Sequence, residues 1–190
     1  MSIMTFLMFY NRVLNENNTL EELPFPVGKV FFQKGTVITD YNEIENAVYF
    51  VNSGIIELSI KSYMTEKIID FFFENEMVAS LTSFLLQSES DVKLTALMDC
   101  ELEMVKYHHL MEAYDHDLSI NKFGRKIMEG AYIRKSNREK ALLSKTAEEI
   151  YTEMFHTHTK YISQIPVNKI AKYLGIHPES LSRIRKKLNS

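Results

Sequence analysis

Between residues 28 and 106 the apolar residues of this chain come in short alternating runs, and this spacing narrows the possible folds more than any other feature. The runs are "KVFF", "AVYFV", "IIELSI", "KIIDFFF", "KLTALM" and "ELEMV", rich in β-branched and aromatic side chains. A period of two serves the two faces of a sheet, whereas a helix needs apolar residues three and four apart. Turn sequences such as "QKGT", "VNSG" and "SESD" separate the runs. Six or more short strands at this spacing predict an antiparallel structure that closes on itself or doubles into two layers. At 45% hydrophobic and 25% charged residues, the 190-residue chain can fill a real core in one large or two small domains.

Outside that zone the patterns are helical. In "MSIMTFLMFYNRVLN" the residues Ile3, Phe6, Leu7, Tyr10, Val13 and Leu14 follow helical spacing. The stretch has neither a basic leader nor a small-residue cleavage site, so a secretory leader is not expected. No apolar run approaches the roughly 20 residues that span a membrane. Cys100 stands alone, which excludes an internal disulfide framework and a four-cysteine cluster. A cytoplasmic protein is the expectation. From about 108 to 143 a helical zone is predicted, with Ile120, Phe123, Ile127 and Gly130 at 3-4-3 spacing. Such a narrow seam predicts contact with a partner helix, hence a dimer interface at Ile120, Phe123 and Ile127; packing on the chain's own β-domain is the other reading. Past Ala131 the stripe decays into the polar "RKSNREK". Thr146 and Glu149 then have the spacing of a capping box, which starts a new helix.

Charge is unevenly distributed. Residues 1–142 hold 14 Lys/Arg against 21 Asp/Glu, and residues 143–190 hold 8 against 4. An acidic body with a basic end is the pattern of a chain that meets a polyanion at one end only. The basic end carries "IAKYLGIHPESLSRIRKKL" at 170–188. Ile170, Ala171 and Leu174 share one helical face, Gly175 suits a left-handed helix end, and Ile176 turns inward. His177 takes the N-cap place and Pro178 suits the first turn of a second helix. There Leu181, Ile184 and Leu188 form the apolar back. This is the helix-turn-helix pattern. Glu179, Ser180, Ser182, Arg183, Lys186 and Lys187 are the candidate DNA-binding residues. Arg183 can fork two donors onto guanine and Glu179 can accept from cytosine. Ser180, Ser182, Lys186 and Lys187 are suited to phosphates.

A short-stranded β-domain, a long helix and a C-terminal helix-turn-helix, in that order, resemble the Crp/Fnr family of transcription regulators over about residues 28–188. "VYFVNSGIIEL" resembles the glycine-containing strand pair of the cyclic-nucleotide-binding β-roll, with Gly35 and Gly54 at turns, and "ALMDCELEMV" resembles its closing strand. Cys100 then reads as a core residue. The resemblance implies a homodimer on a roughly palindromic operator, and RNA polymerase as a further partner. Family members that bind cyclic AMP carry a Gly-Glu pair and an arginine. Here Ala79 and Ser80 align with the pair and Ser90 with the arginine, so the phosphate loses its fixed countercharge. Lys93, or Glu76, enters only if the alignment slips. Ser80, Thr82, Ser83 and Ser90 remain as a weak effector pocket for some other anion. His108 and His109 are adjacent and leave a helix in different directions, so haem ligation is not expected. No metal site, cofactor or catalytic constellation stands out, so an enzyme is not expected.

The expectation is therefore an α+β chain. Residues 1–115 form an antiparallel β-roll of the double-stranded β-helix type with flanking helices. Residues 116–143 form the long dimerisation helix, and 144–190 a winged-helix-like helix-turn-helix domain. The expected function is a DNA-binding regulator whose unidentified effector is not cyclic AMP. The rival is a ligand-sensing or protein-binding roll whose helical tail docks a partner and leaves DNA alone.

Overall fold

Two four-stranded antiparallel sheets take up the alternating runs. The computed structural model describes residues 4–63 and 65–188, so Ile3 of the N-terminal stripe lies outside the described residues. The first sheet runs β1-β8-β3-β6, with β1 at Gly28–Phe32, β3 at Ala47–Ser53, β6 at Met77–Val78 and β8 at Cys100–Lys106. The second runs β2-β7-β4-β5, with β2 at Val37–Thr39, β4 at Ile56–Lys61, β5 at Glu66–Phe72 and β7 at Val92–Ala96. β2 and β6 were not legible as strands, because two or three residues are too few to show an alternation. A short helix, α2 (Leu81–Leu86), links β6 to β7.

Side-chain alternation assigns each residue to one of three cores. Ala47, Tyr49 and Val51 point into the roll with Leu94, Cys100 and Leu102, while Phe50 and Val105 point outward. The β3–β4 turn needs Gly54, whose φ of +108° is left to glycine and whose Cβ would collide with Cys100 Sγ. Cys100 is wholly buried, and burial raises its thiol pKa, as suits a core residue.

Helix α1 (Phe6–Leu14), α3 (Tyr107–His116) and α4 (Leu118–Ser144) cover the outside of the first sheet. The helical zone expected from about 108 divides at Asp117, close to the start at 116 expected for the long helix; Asp117 Oδ1 accepts the N–H groups of Ser119 (2.6 Å) and Ile120 (3.3 Å) and so starts α4. Glu103, buried in the outer face of β8, accepts the Phe6 N–H at 2.6 Å and fixes the start of α1. This placement corrects the dimer seam. Ile120 and Phe123 are 0% and 4% exposed, packed on Phe6 and Tyr10 of their own chain. Ile127 is half-buried in the same cluster. The stripe of α1 needs cover, and α4 supplies it within the chain, so Ile120 and Phe123 are not available to a second copy and Ile127 is available only in part. Leu118, Tyr132 and Leu143 are 80%, 73% and 83% exposed and fall roughly opposite the buried seam.

Four helices cover the second sheet: α5 (Ala147–Thr157), α6 (Thr159–Ile162), α7 (Val167–Leu174) and α8 (Pro178–Leu188). Thr146 Oγ1 accepts the Glu149 N–H, and Glu149 accepts the Thr146 N–H at 2.8 Å, so the capping box opens α5. Ile55, Phe71 and Phe73 of the roll join Ile162, Ile170 and Leu181 of these helices in one core. An ion pair crosses it: Glu57 of β4, 1% exposed, meets Lys169 of α7 at 2.7 Å. Among the described residues no strand lies beyond Lys106, so the winged form expected for the C-terminal part is replaced by helices throughout. No helix among the described residues is long and apolar enough to cross a membrane.

Candidate nucleic-acid interface and sensor cradle

The geometry of α7 and α8 follows from one glycine. Gly175 has φ +68°, and the N–H groups of Gly175 and Ile176 both reach back to the Ala171 carbonyl. This 6→1 closure ends α7 and turns the chain. Two residues past Gly175, the His177 carbonyl accepts from Ser180 (3.0 Å) and Leu181 (3.3 Å), starting α8. Ile170, Ala171 and Leu181 are at most 1% exposed, so the two helices are pinned through their apolar sides. Glu179, Ser180, Ser182, Arg183, Lys186 and Lys187 are all exposed on α8. Ser182 donates to the Pro178 carbonyl, which holds its hydroxyl on its own helix. Lys187 pairs with Glu148 of α5 at 2.6 Å, so engaging a phosphate would compete with that contact. Arg183 and Lys186 have no ion pair among the described residues. Arg185 points the other way, donating to the Tyr151 hydroxyl of α5 at 3.0 Å and so tying together the head formed by α5 to α8.

The effector pocket of Ser80, Thr82, Ser83 and Ser90 is corrected by the structure. Ser80 and Ser90 are buried and bonded to each other, Oγ to Oγ, at 2.6 Å. Ser90 also donates to Val92, and Ser83 donates to the Ser88 carbonyl. Thr82 is exposed on the far side of α2. The hydroxyls are spent on one another and on backbone carbonyls, and a buried carboxyl group already sits among them. Glu45, 2% exposed, accepts from Thr39 Oγ1 at 2.7 Å, the Ser80 N–H at 3.2 Å and the Ala47 N–H at 3.3 Å. Its own N–H donates to Ser83 Oγ. Burial pushes its carboxyl above the usual range, and the three donors oppose that rise. Sequence reasoning missed Glu45, since a lone glutamate before a strand carries no pattern that marks burial. Lys93 is no substitute for the missing arginine, being paired with Glu66 at 2.5 Å, and Glu76 is held by Arg134 at 2.8 Å.

The two histidines are closer than helix geometry led one to expect. His108 and His109 face each other at the start of α3 with ring centroids 4.0 Å apart. Among the described residues no three His, Cys, Asp or Glu side chains are grouped to hold a metal.

Residues 29–117 match the family model of the cyclic nucleotide-binding domain. Solved structures superpose over more of the chain than this family model covers. FixK2 from Bradyrhizobium japonicum superposes with a TM-score of 0.73 at 19% identity, over 86% of this chain and 84% of its own. A protein from Eubacterium rectale assigned to the Crp/Fnr transcriptional regulators superposes with a TM-score of 0.73 at 18% identity, over 95% and 87%. The chain has the Crp/Fnr fold. The c-di-GMP-responsive global regulator CLP from Xanthomonas campestris has it too, with a TM-score of 0.65 at 17% identity over 86% of each chain. A sequence comparison with curated proteins finds no match. In the roll of this chain the carboxyl group of Glu45 fills the serine cradle.

Proposed function

We propose that this protein is a homodimeric, DNA-binding transcription regulator whose effector is not cyclic AMP. The observation that carries the reading is the exposed face of α8, with Arg183 and Lys186 presented to solvent while Leu181 and Ala171 lock the helix pair from behind. A helix so held can enter a major groove, with Arg183 and Glu179 at base edges and Ser180, Ser182, Lys186 and Lys187 at phosphates. Dimerisation runs through Leu118, Tyr132 and Leu143 of α4, and it pairs two such helices on a roughly palindromic site. In the cytoplasm, RNA polymerase is the partner that such a regulator would address. The serine cradle supports the exclusion of cyclic AMP: among the described residues no guanidinium is bonded to it, and the Glu45 carboxyl occupies the place a phosphate would need. Selection of duplexes from a random pool, followed by titration at several salt concentrations, tests the proposal. A palindromic consensus whose affinity falls steeply with salt is the expected result. Absence of duplex binding at low salt would instead favour a tail that docks a protein partner.

A further inference from the structure

Between the roll, α4 and the head lies a cavity of about 240 Å³. Its apolar wall is made by Phe71, Ala141, Ile150, Met154 and Tyr173. Its charged wall is Arg138 of α4, whose guanidinium lies 3.6 Å from the centroid of the Tyr173 ring. Arg138 Nη2 donates to the Tyr173 carbonyl at 2.6 Å, but Nε and Nη1 are buried and meet no acceptor among the described residues. The acids in the same wall are already matched, Asp70 with Arg134 at 2.7 Å and Glu153 with Lys145. Buried N–H groups of a cation cost free energy until an acceptor reaches them.

We infer that this cavity binds a small organic monocarboxylate with an apolar body, its carboxylate received by Arg138 and its body by Tyr173, Phe71 and Met154. The planar guanidinium matches a carboxylate in shape and charge. The volume is below the roughly 300–1,000 Å³ of sites for drug-sized ligands, which favours a small ligand over a nucleotide. Arg134 also lines the cavity but is matched by Asp70 and Glu76, which leaves Arg138 as the cation of the lining without an ion pair among the described residues; one such cation suits a monoanion better than a phosphate dianion. The site rests on the regulator reading for its purpose. Arg138 grips the carboxyl end of α7 just before the Gly175 turn, so an occupant biases where the head sits on the roll. The serine cradle, closed by Glu45, leaves such a role to another site.

The test uses the full chain with benzoate and hexanoate as probes, and with benzamide and inorganic phosphate as controls, followed by calorimetry and by NMR. Saturable binding of at least one carboxylate, one per chain, is expected, with both controls at least about tenfold weaker. Arg138→Gln should weaken the carboxylate about tenfold or more, and Ala141→Phe should abolish binding by filling the cavity while leaving Arg138 in place. Glu45→Gln should leave the affinity unchanged. No saturation by either probe at about 10 mM overturns the inference. So does phosphate binding as tightly as benzoate, or binding that survives both cavity variants. Duplex binding is measured separately without carboxylate. Duplex binding without carboxylate binding defeats this site alone, whereas carboxylate binding without duplex binding upholds the site and defeats the regulator reading.

Discussion

Replacing Tyr132 by glutamate should separate the two copies without unfolding either. Tyr132 is 73% exposed on α4, so its loss costs the single chain little, within about 0.5 kcal/mol. A tyrosine buries about 150–250 Å² when covered. Covering the exposed share at about 25 cal/mol per Å² contributes roughly 3–4 kcal/mol. A twofold interface counts that contribution twice. Even a third of the sum, about 2–3 kcal/mol, raises the dimer Kd about a hundredfold. Phe123→Glu is the contrasting change: at 4% exposure, among Phe6 and Tyr10, it should destabilise the folded chain by about 3–5 kcal/mol. Sedimentation equilibrium at micromolar concentration, run beside thermal melts, distinguishes the two outcomes. A dimer that survives both Tyr132→Glu and Leu143→Glu, with the melt unchanged, would refute the assignment of this face.

Three further outcomes are expected. Arg183→Ala should cost roughly 1–3 kcal/mol on the preferred duplex and relax its sequence preference, while Lys187→Ala should weaken all duplexes about equally and flatten the salt slope; equal losses on specific and random duplexes for Arg183→Ala would make it a phosphate contact. Calorimetry should find no binding of cyclic AMP tighter than high micromolar, and operator affinity should not change when cyclic AMP is added; a low-micromolar Kd with a gain in DNA affinity would overturn the reading of the cradle. His158, stacked on Phe73 with centroids 4.0 Å apart, has its pKa lowered chiefly by burial. The unfolded chain therefore takes up this proton first, so His158's contribution to stability is complete above its unfolded value near 6.5 and is lost as the pH falls below it. Urea titrations from pH 8 to pH 5 should show the decline, and His158→Phe should flatten it.

Much of the fold was legible because periodicity is a local property. A strand run such as "AVYFV" states which side chains go in and which go out, and Gly175 between two apolar stripes states a turn, whatever surrounds them. The candidate DNA face was legible for the same reason, since the apolar back of α8 defines its polar front. Helix α4 shows where that logic stops. It carries one apolar set at Ile120, Phe123 and Ile127 and another at Leu118, Tyr132 and Leu143, and a pattern alone cannot say which meets α1 and which meets solvent.

The sites built from distant parts were decided by tertiary structure alone. Thr39 and Glu45 lie in one stretch and Ser80 and Ser90 in another, and only closure of the roll brings that carboxyl group among the serines. Arg138 and Tyr173 are 35 residues apart, and their cavity exists because the head packs on β5. Local sequence sets backbone propensity and which face of an element is apolar. Which faces meet depends on burying the most apolar area while leaving each buried polar group a partner, and that is settled only among elements already folded.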